Sequence, residues 1–333
     1  MQQFEFDPSS FSKKDYNIAG VTTHVYNGDS LGPYIDKLNK LYADDWESHS
    51  RLVDIPIHVV YILHGRGQDY SYSESIAYTL LNQYYAKKLE VQVPLVCVTF
   101  DMRNHGERLI DEARNTSWKS GNQTHALDMI SSIDGNAADL KLIIEYLPSY
   151  LNLEFLLDSK LKSELGSTIK YVNILSGISL GGHTSIRFAS QYPHLVDIIN
   201  PIIGCNDLST LLINRLIETP IDSPDYDKKL FYYNYDELPL SPQQRQYEYP
   251  EFFHKYLSIE DKKIWEDFPM SKIKLFATFG EQDTLVPPKL SKFWIESYLS
   301  TNDDSETFTQ ENTGHECTPE MIDKFTTWLA KIL

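Results

Sequence analysis

The stretch "NILSGISLGGHTS", residues 173–185, starts apolar and β-branched, passes through Gly177-Ile178-Ser179-Leu180-Gly181, and ends in a segment able to begin a helix. A strand that turns sharply into a helix crowds its turn residue, and small residues two positions to either side leave room for it. Such a turn lifts the Ser179 hydroxyl clear of the backbone and sets it at a helix N-terminus, where the Leu180 N–H is free to meet negative charge. The pattern alone is weak, because a serine that merely caps a helix in a Gly-rich turn looks the same. Its place between strand and helix gives it weight. A serine hydroxyl is a poor nucleophile until a base takes its proton and a third group orients that base, so the rest of the chain has to supply both.

The flanking sequence alternates between short apolar runs and longer patterned segments. Runs at 56–65, 93–101, 169–177, 196–204 and 273–280 end in Gly or Asp and read as parallel strands covered on both faces, with a further strand at 304–310. Segments 74–88, 134–157, 180–191, 288–299 and 318–332 read as helices. In the last, Met321, Ile322, Phe325, Trp328, Leu329 and Ile332 recur at three- and four-residue steps and form one apolar face. Near the start, 21–26 suggests an antiparallel edge strand and 31–42 a helix. The class is therefore α/β, a mostly parallel sheet with helices on both faces, whose sites form at the carboxyl ends of the strands. Residues 206–270 break the alternation and hold seven of the 22 tyrosines, so they read as an inserted, largely helical cap on a discontinuous core of 1–205 and 271–333. Its aromatics either pack on the core or line a substrate cleft.

Composition narrows the function. A chain of 333 residues, 41% hydrophobic, can bury a large core. No apolar run approaches the roughly 20 residues that span a bilayer, and the first residues lack a signal-peptide pattern, so a soluble, cytoplasmic protein is expected. The net charge of -17 opposes binding to nucleic acid or an anionic membrane and favours a small-molecule partner that is neutral or cationic. Cys97, Cys205 and Cys317, an odd number without CxxC spacing, read as buried free thiols.

Ten histidines compete for the role of base. His58 falls inside a strand, His183 and His194 flank a helix that would hold them away from the strand ends, and His24, His49 and His254 lie in polar or uncertain segments. His315, in "ENTGHECTPEM" (311–321), sits in a loop between the last strand and the last helix and can reach over the strand ends. Asp283, in "GEQDTLVPP" (280–288), projects past the strand that ends at Gly280, with Glu281 as its neighbour. The chain order is then Ser179, Asp283, His315. His64, Asp101, His105, His125 and Asp128 form a second polar group, but without HExxH-type spacing they suggest loop bracing rather than a metal. An Asp101–Arg103 pair is expected there, with Trp118, His125 and Asp128 as candidate pocket lining.

"GISLGG" (177–182), the turn "HGRG" (64–67), "GEQD" (280–283) and "GH" (314–315) together resemble the α/β-hydrolase superfamily over roughly residues 56–333. "DMRNHGER" (101–108), "WKSGNQTHALDM" (118–129) and "IIGCND" (202–207) resemble fungal and bacterial esterase-like members of it. The resemblance implies that Ser179 attacks an acyl carbonyl, that His315 is general base and then general acid, and that Asp283, a few residues past its strand, fixes the imidazole. The backbone N–H groups of Leu180 and Arg66 would hold the oxyanion. No cofactor or metal is implied. The expected reaction is cleavage of carboxylic esters or thioesters through an acyl-serine. Acyl transfer on the same residues and a catalytically silent ligand-binding protein of this fold are the alternatives. A dehalogenase would need an aspartate where Ser179 stands, and a peptidase of the prolyl-oligopeptidase type would need a large gating domain ahead of the hydrolase.

Overall fold

A computed structural model describes residues 4–44, 54–88, 92–163 and 166–333. The strands are β1 (Lys13–Ile18), β2 (Val21–Tyr26), β3 (Asp54–Leu63), β4 (Leu95–Phe100), β5 (Thr168–Ile178), β6 (Ile198–Ile202), β7 (Lys274–Gly280) and β8 (Glu306–Gln310). They form one sheet in the order β1-β2-β4-β3-β5-β6-β7-β8. Pairing is parallel from β4 across to β8, and antiparallel where β2 meets β4 and β1 meets β2. β3 and β5 run side by side from Asp54↔Thr168 to Leu63↔Gly177, which brings the turn after β3 level with the turn at Ser179.

The strand sequences explain their central places. Every residue of β4, "LVCVTF", is buried, as a strand covered on both faces requires. β1, "KKDYNI", is largely exposed. It lies outside β2, so 21–26 is the second strand rather than the edge, and the charged edge guards the sheet against further pairing.

The helices are α1 (Leu31–Asp44), α2 (Tyr70–Lys87), α3 (His125–Leu151), α4 (Ser159–Ser163), α5 (Leu180–Gln191), α6 (Leu208–Leu216), α7 (Glu251–Glu266), α8 (Lys292–Thr301) and α9 (Pro319–Ile332). One apolar cluster joins the sheet to α3, α5, α6, α7 and α8, and a second joins its opposite face to α2 and α9. Met321, Ile322, Phe325, Trp328 and Leu329 of α9 are buried as their spacing predicts, each worth about 1.5–3 kcal/mol over exposure. α3 starts at His125, nine residues before the predicted 134. The polar loop residues Asn122 and Thr124 brace its first turn by donating to Asp128 (3.0 and 2.8 Å).

Between β6 and β7 the described residues hold α6, α7 and short turns but no strand. This segment is tied to the helices below it by a buried ion pair, Arg187 of α5 with Asp261 of α7 (3.3 Å), and by Tyr256, which donates to Asp134 of α3 (2.6 Å). Cys97, Cys205 and Cys317 are free and buried. Among the described residues no helix is long and apolar enough to cross a membrane. His49 lies outside the described residues.

Candidate active site

Ser179 links β5 to α5 with φ 51° and ψ -106°, outside the regions that side chains prefer. The flanking glycines are there for space. A Cβ on Gly177 would stand 2.1 Å from the Gly181 carbonyl oxygen, and one on Gly181 would stand 2.3 Å from the Leu63 carbonyl oxygen. The second contact presses the turn at Ser179 against the end of β3. The Ser179 N–H donates to Ile202 of β6 (2.9 Å), which anchors the turn from the other side.

His315 arrives from the loop after β8 and Asp283 from the loop after β7. These loops are stitched together by Gln282 N–H donating to the Thr313 carbonyl (2.8 Å) and by Glu281 N–H donating to that of Gln310 (2.9 Å). A Cβ on Gly280 would lie 2.2 Å from the Gly314 carbonyl oxygen, so only glycine permits this approach. His315 Nδ1 lies 2.7 Å from Asp283 Oδ2, and its Nε2 lies 2.9 Å from Ser179 Oγ. The other carboxylate oxygen of Asp283 accepts the N–H groups of Leu285 (2.8 Å) and Val286 (2.9 Å). An ionised Asp283 can only accept, so Nδ1 carries the ring proton and the Nε2 lone pair faces the serine hydroxyl. Glu281 takes no part. Its Oε2 accepts the Asn312 N–H (3.2 Å) on the surface.

Leu180 is the first residue of α5, so its N–H has no acceptor within the helix. Arg66 sits in the turn after β3, which is closed by Gly65 N–H donating to Gln68 Oε1 (2.8 Å). Arg66 and Leu180 line the same narrow cleft. All five residues singled out in the sequence therefore gather at the carboxyl ends of β3, β5, β7 and β8, where open α/β sheets place their sites.

The other polar residues brace this arrangement. His64 is buried, donates from Nδ1 to the Gly65 carbonyl (2.8 Å) and accepts the Met102 N–H at Nε2 (3.0 Å), so it knits the turn after β3 to the end of β4. Burial holds its pKa down to about 3 and keeps it neutral. Asp101 does not pair with Arg103. Its oxygens accept the N–H groups of Tyr70 and Glu107 (both 2.7 Å), while Arg103 donates to Asp139 (3.0 and 2.8 Å), which Arg108 shares (2.8 Å). The reason is packing: α3 presents the buried carboxylate of Asp139 to two arginines of the loop after β4 that the sequence could not connect with it. Asp128 is turned to Asn122 and Thr124. His183 also departs from expectation. It lies against the loop beyond β6, accepting the Cys205 N–H at Nδ1 (3.0 Å), and burial lowers its pKa to about 3.

Two cavities flank the turn at 64–70. One, of about 590 Å³, is lined by Gly67–Tyr70 and the loop from Asp101 to Thr116. The other, of about 490 Å³, is lined by Arg66, Trp118, His125, Arg215, Tyr226, Thr284 and Leu285 among others. Neither includes Ser179 itself; the second is bounded by Arg66 on one side and by Thr284 and Leu285, the residues after Asp283, on the other. Trp118 and His125 are thus pocket lining. Of the tyrosines in 206–270, Tyr226 lines the cavity, Tyr249 is buried, and Tyr232, Tyr233, Tyr247 and Tyr256 are exposed. Arg215, in an apolar helical stretch, carried no signal in the sequence.

No protein-family model matches the chain, and no curated protein matches its sequence. Solved structures do resemble it in shape. TT1662 from Thermus thermophilus is 13% identical, with a TM-score of 0.52 over 96% of this chain and 97% of its own. The Pyrococcus furiosus esterase Pf2001 is 14% identical, with a TM-score of 0.52 over 99% and 95%. The fold is that of the α/β-hydrolases. At such identities the likeness speaks for the fold alone, and the chemistry rests on the residues of this chain.

Proposed function

We propose that the protein is a serine hydrolase that cleaves carboxylic esters or thioesters through an acyl-enzyme on Ser179. The observation that carries this reading is the unbroken line Ser179–His315–Asp283, at 2.9 and 2.7 Å, on a serine held in a strained turn. Ser179 Oγ adds to the acyl carbonyl as His315 Nε2 takes its proton. The imidazolium, steadied by Asp283, then gives that proton to the leaving oxygen or sulfur. Water repeats the sequence in the second half, with His315 again as base. The N–H groups of Leu180 and Arg66 receive the oxyanion, each donor worth about 3 kcal/mol of barrier. That the structurally similar Pf2001 is an esterase agrees with this chemistry. The substrate is a small molecule, and residues 206–270 form a cap over it.

A fluorophosphonate probe should label Ser179, and Ser179→Ala should lose both labelling and p-nitrophenyl ester hydrolysis. Undiminished turnover in that variant would falsify the mechanism.

A further inference from the structure

The 490 Å³ cavity between Arg66 and the residues after Asp283 has a charge opposite to that of the molecule as a whole. Two guanidiniums line it, Arg66 and Arg215, and among the described residues neither forms an ion pair with a carboxylate. Arg66 Nη1 lies 2.8 Å from Nδ1 of His125, and Arg215 donates to the Leu285 carbonyl, from Nε (3.1 Å) and Nη2 (2.5 Å). His125 does not neutralise its neighbour. Burial and the Arg66 charge hold its pKa down to about 3, so it is an uncharged imidazole. The pair Lys119–Glu218 (3.1 Å), also in the lining, cancels itself. Asp283, next to the lining residue Thr284, has its oxygens taken by His315, Leu285 and Val286. Burial above all, and the Arg66 charge after it, lower the pKa of Arg215 to about 10.

Placing two half-buried guanidiniums in the wall of one cavity costs free energy unless an anion joins them. Their forked donors suit a planar carboxylate or a phosphate better than any neutral group. Tyr226 and Trp118 add apolar wall for the carbon skeleton that carries it. We propose that this cavity binds an ionised group of the ester substrate, a carboxylate or phosphate, with Arg66 and Arg215 as its donors. The inference rests on the serine-hydrolase reading and narrows it to acidic esters. The anion belongs either to the acyl chain or to the leaving group.

The test compares kcat/KM for matched esters. p-Nitrophenyl hemisuccinate places the carboxylate on the acyl side, 4-acetoxybenzoate places it on the leaving side, and 4-acetoxyphenyl phosphate replaces it with a phosphate. Each is measured against a neutral counterpart, the methyl ester of the two carboxylates and 4-acetoxyanisole for the phosphate. At least one anionic ester should be preferred about ten- to hundredfold, and the arm that responds identifies the side and the anion. Arg215→Gln should bring that ratio toward one, with Arg215→Lys keeping more of it. Thr219→Asp, which adds a carboxylate to the cavity wall, serves if the arginine variants fail to fold and should lower the ratio likewise. Ser179-dependent turnover that favours the neutral ester in every arm overturns the inference and leaves the hydrolase reading intact. Should no ester turn over, calorimetric binding of the same anionic esters to Ser179→Ala decides. The inference needs at least tenfold weaker binding in Ser179→Ala/Arg215→Gln, and equal binding or none overturns it.

Discussion

The φ of 51° at Ser179 is a strained value for a residue with a Cβ, costing about 1–3 kcal/mol. The Ile202 carbonyl and the close contacts of Gly177 and Gly181 hold it in place. The same scale decides which acid serves His315. In Asp283→Asn the amide oxygen can still accept from Leu285 and Val286, so the loop keeps its shape. The amide nitrogen then faces Nδ1 and favours the wrong imidazole tautomer. Ester hydrolysis should fall by on the order of 10³ to 10⁴, while Glu281→Gln, which loses no contact with His315, should change it less than about tenfold. Steady-state kinetics with matched melting curves checks this. The reverse ranking at equal stability would transfer the role to Glu281.

Among the elements, the join between α7 and α5 depends on one buried pair. Asp261 accepts from Arg187 (3.3 Å) and from the Ser209 N–H at the start of α6 (2.7 Å). Burial pushes the Asp261 carboxyl upward and the Arg187 charge pulls it back. Removing one partner strands the other in an apolar interior, so Asp261→Ala and Arg187→Met should each cost about 3–5 kcal/mol in urea denaturation. The double variant should cost less than the sum of the two by about 1–3 kcal/mol. Strict additivity would mean that the two charges do not act as a pair.

At the scale of the whole molecule, 47 acidic residues against 30 basic ones leave a surface that repels itself. Adding salt screens that repulsion, with a Debye length of roughly 10 Å at 0.1 M. The melting temperature should therefore rise by a few degrees between about 10 mM and 300 mM sodium chloride and then level off. A melting temperature that falls across that range would mean that surface ion pairs, such as Lys87–Asp323 and Lys331–Glu306, outweigh the net charge.

Hydrophobic period alone determined five of the eight strands, β3 to β7, because a strand buried on both faces must be apolar throughout, as "LVCVTF" is; the mostly exposed β8, "ETFTQ", was expected only from its place ahead of the last helix. The period also marked 21–26 as a strand. Local chemistry determined the turn at Ser179, since only small neighbours fit around it, and position in loops past strand ends pointed to Asp283 and His315. The polar edge strand β1 was invisible for the opposite reason: "KKDYNI" buries almost nothing, so no apolar pattern marks it. The early start of α3 is set by polar side chains that brace its first turn, a signal too weak to read against a loop-like sequence. What only the tertiary structure decided are contacts between residues far apart in the chain. Arg103 finds Asp139 rather than its near neighbour Asp101. Arg66 and Arg215 share one cavity across 149 positions. Charge acts through space, and a sequence records only which charges exist, whereas the packing of α3 and α6 against the strand ends decides which of them meet.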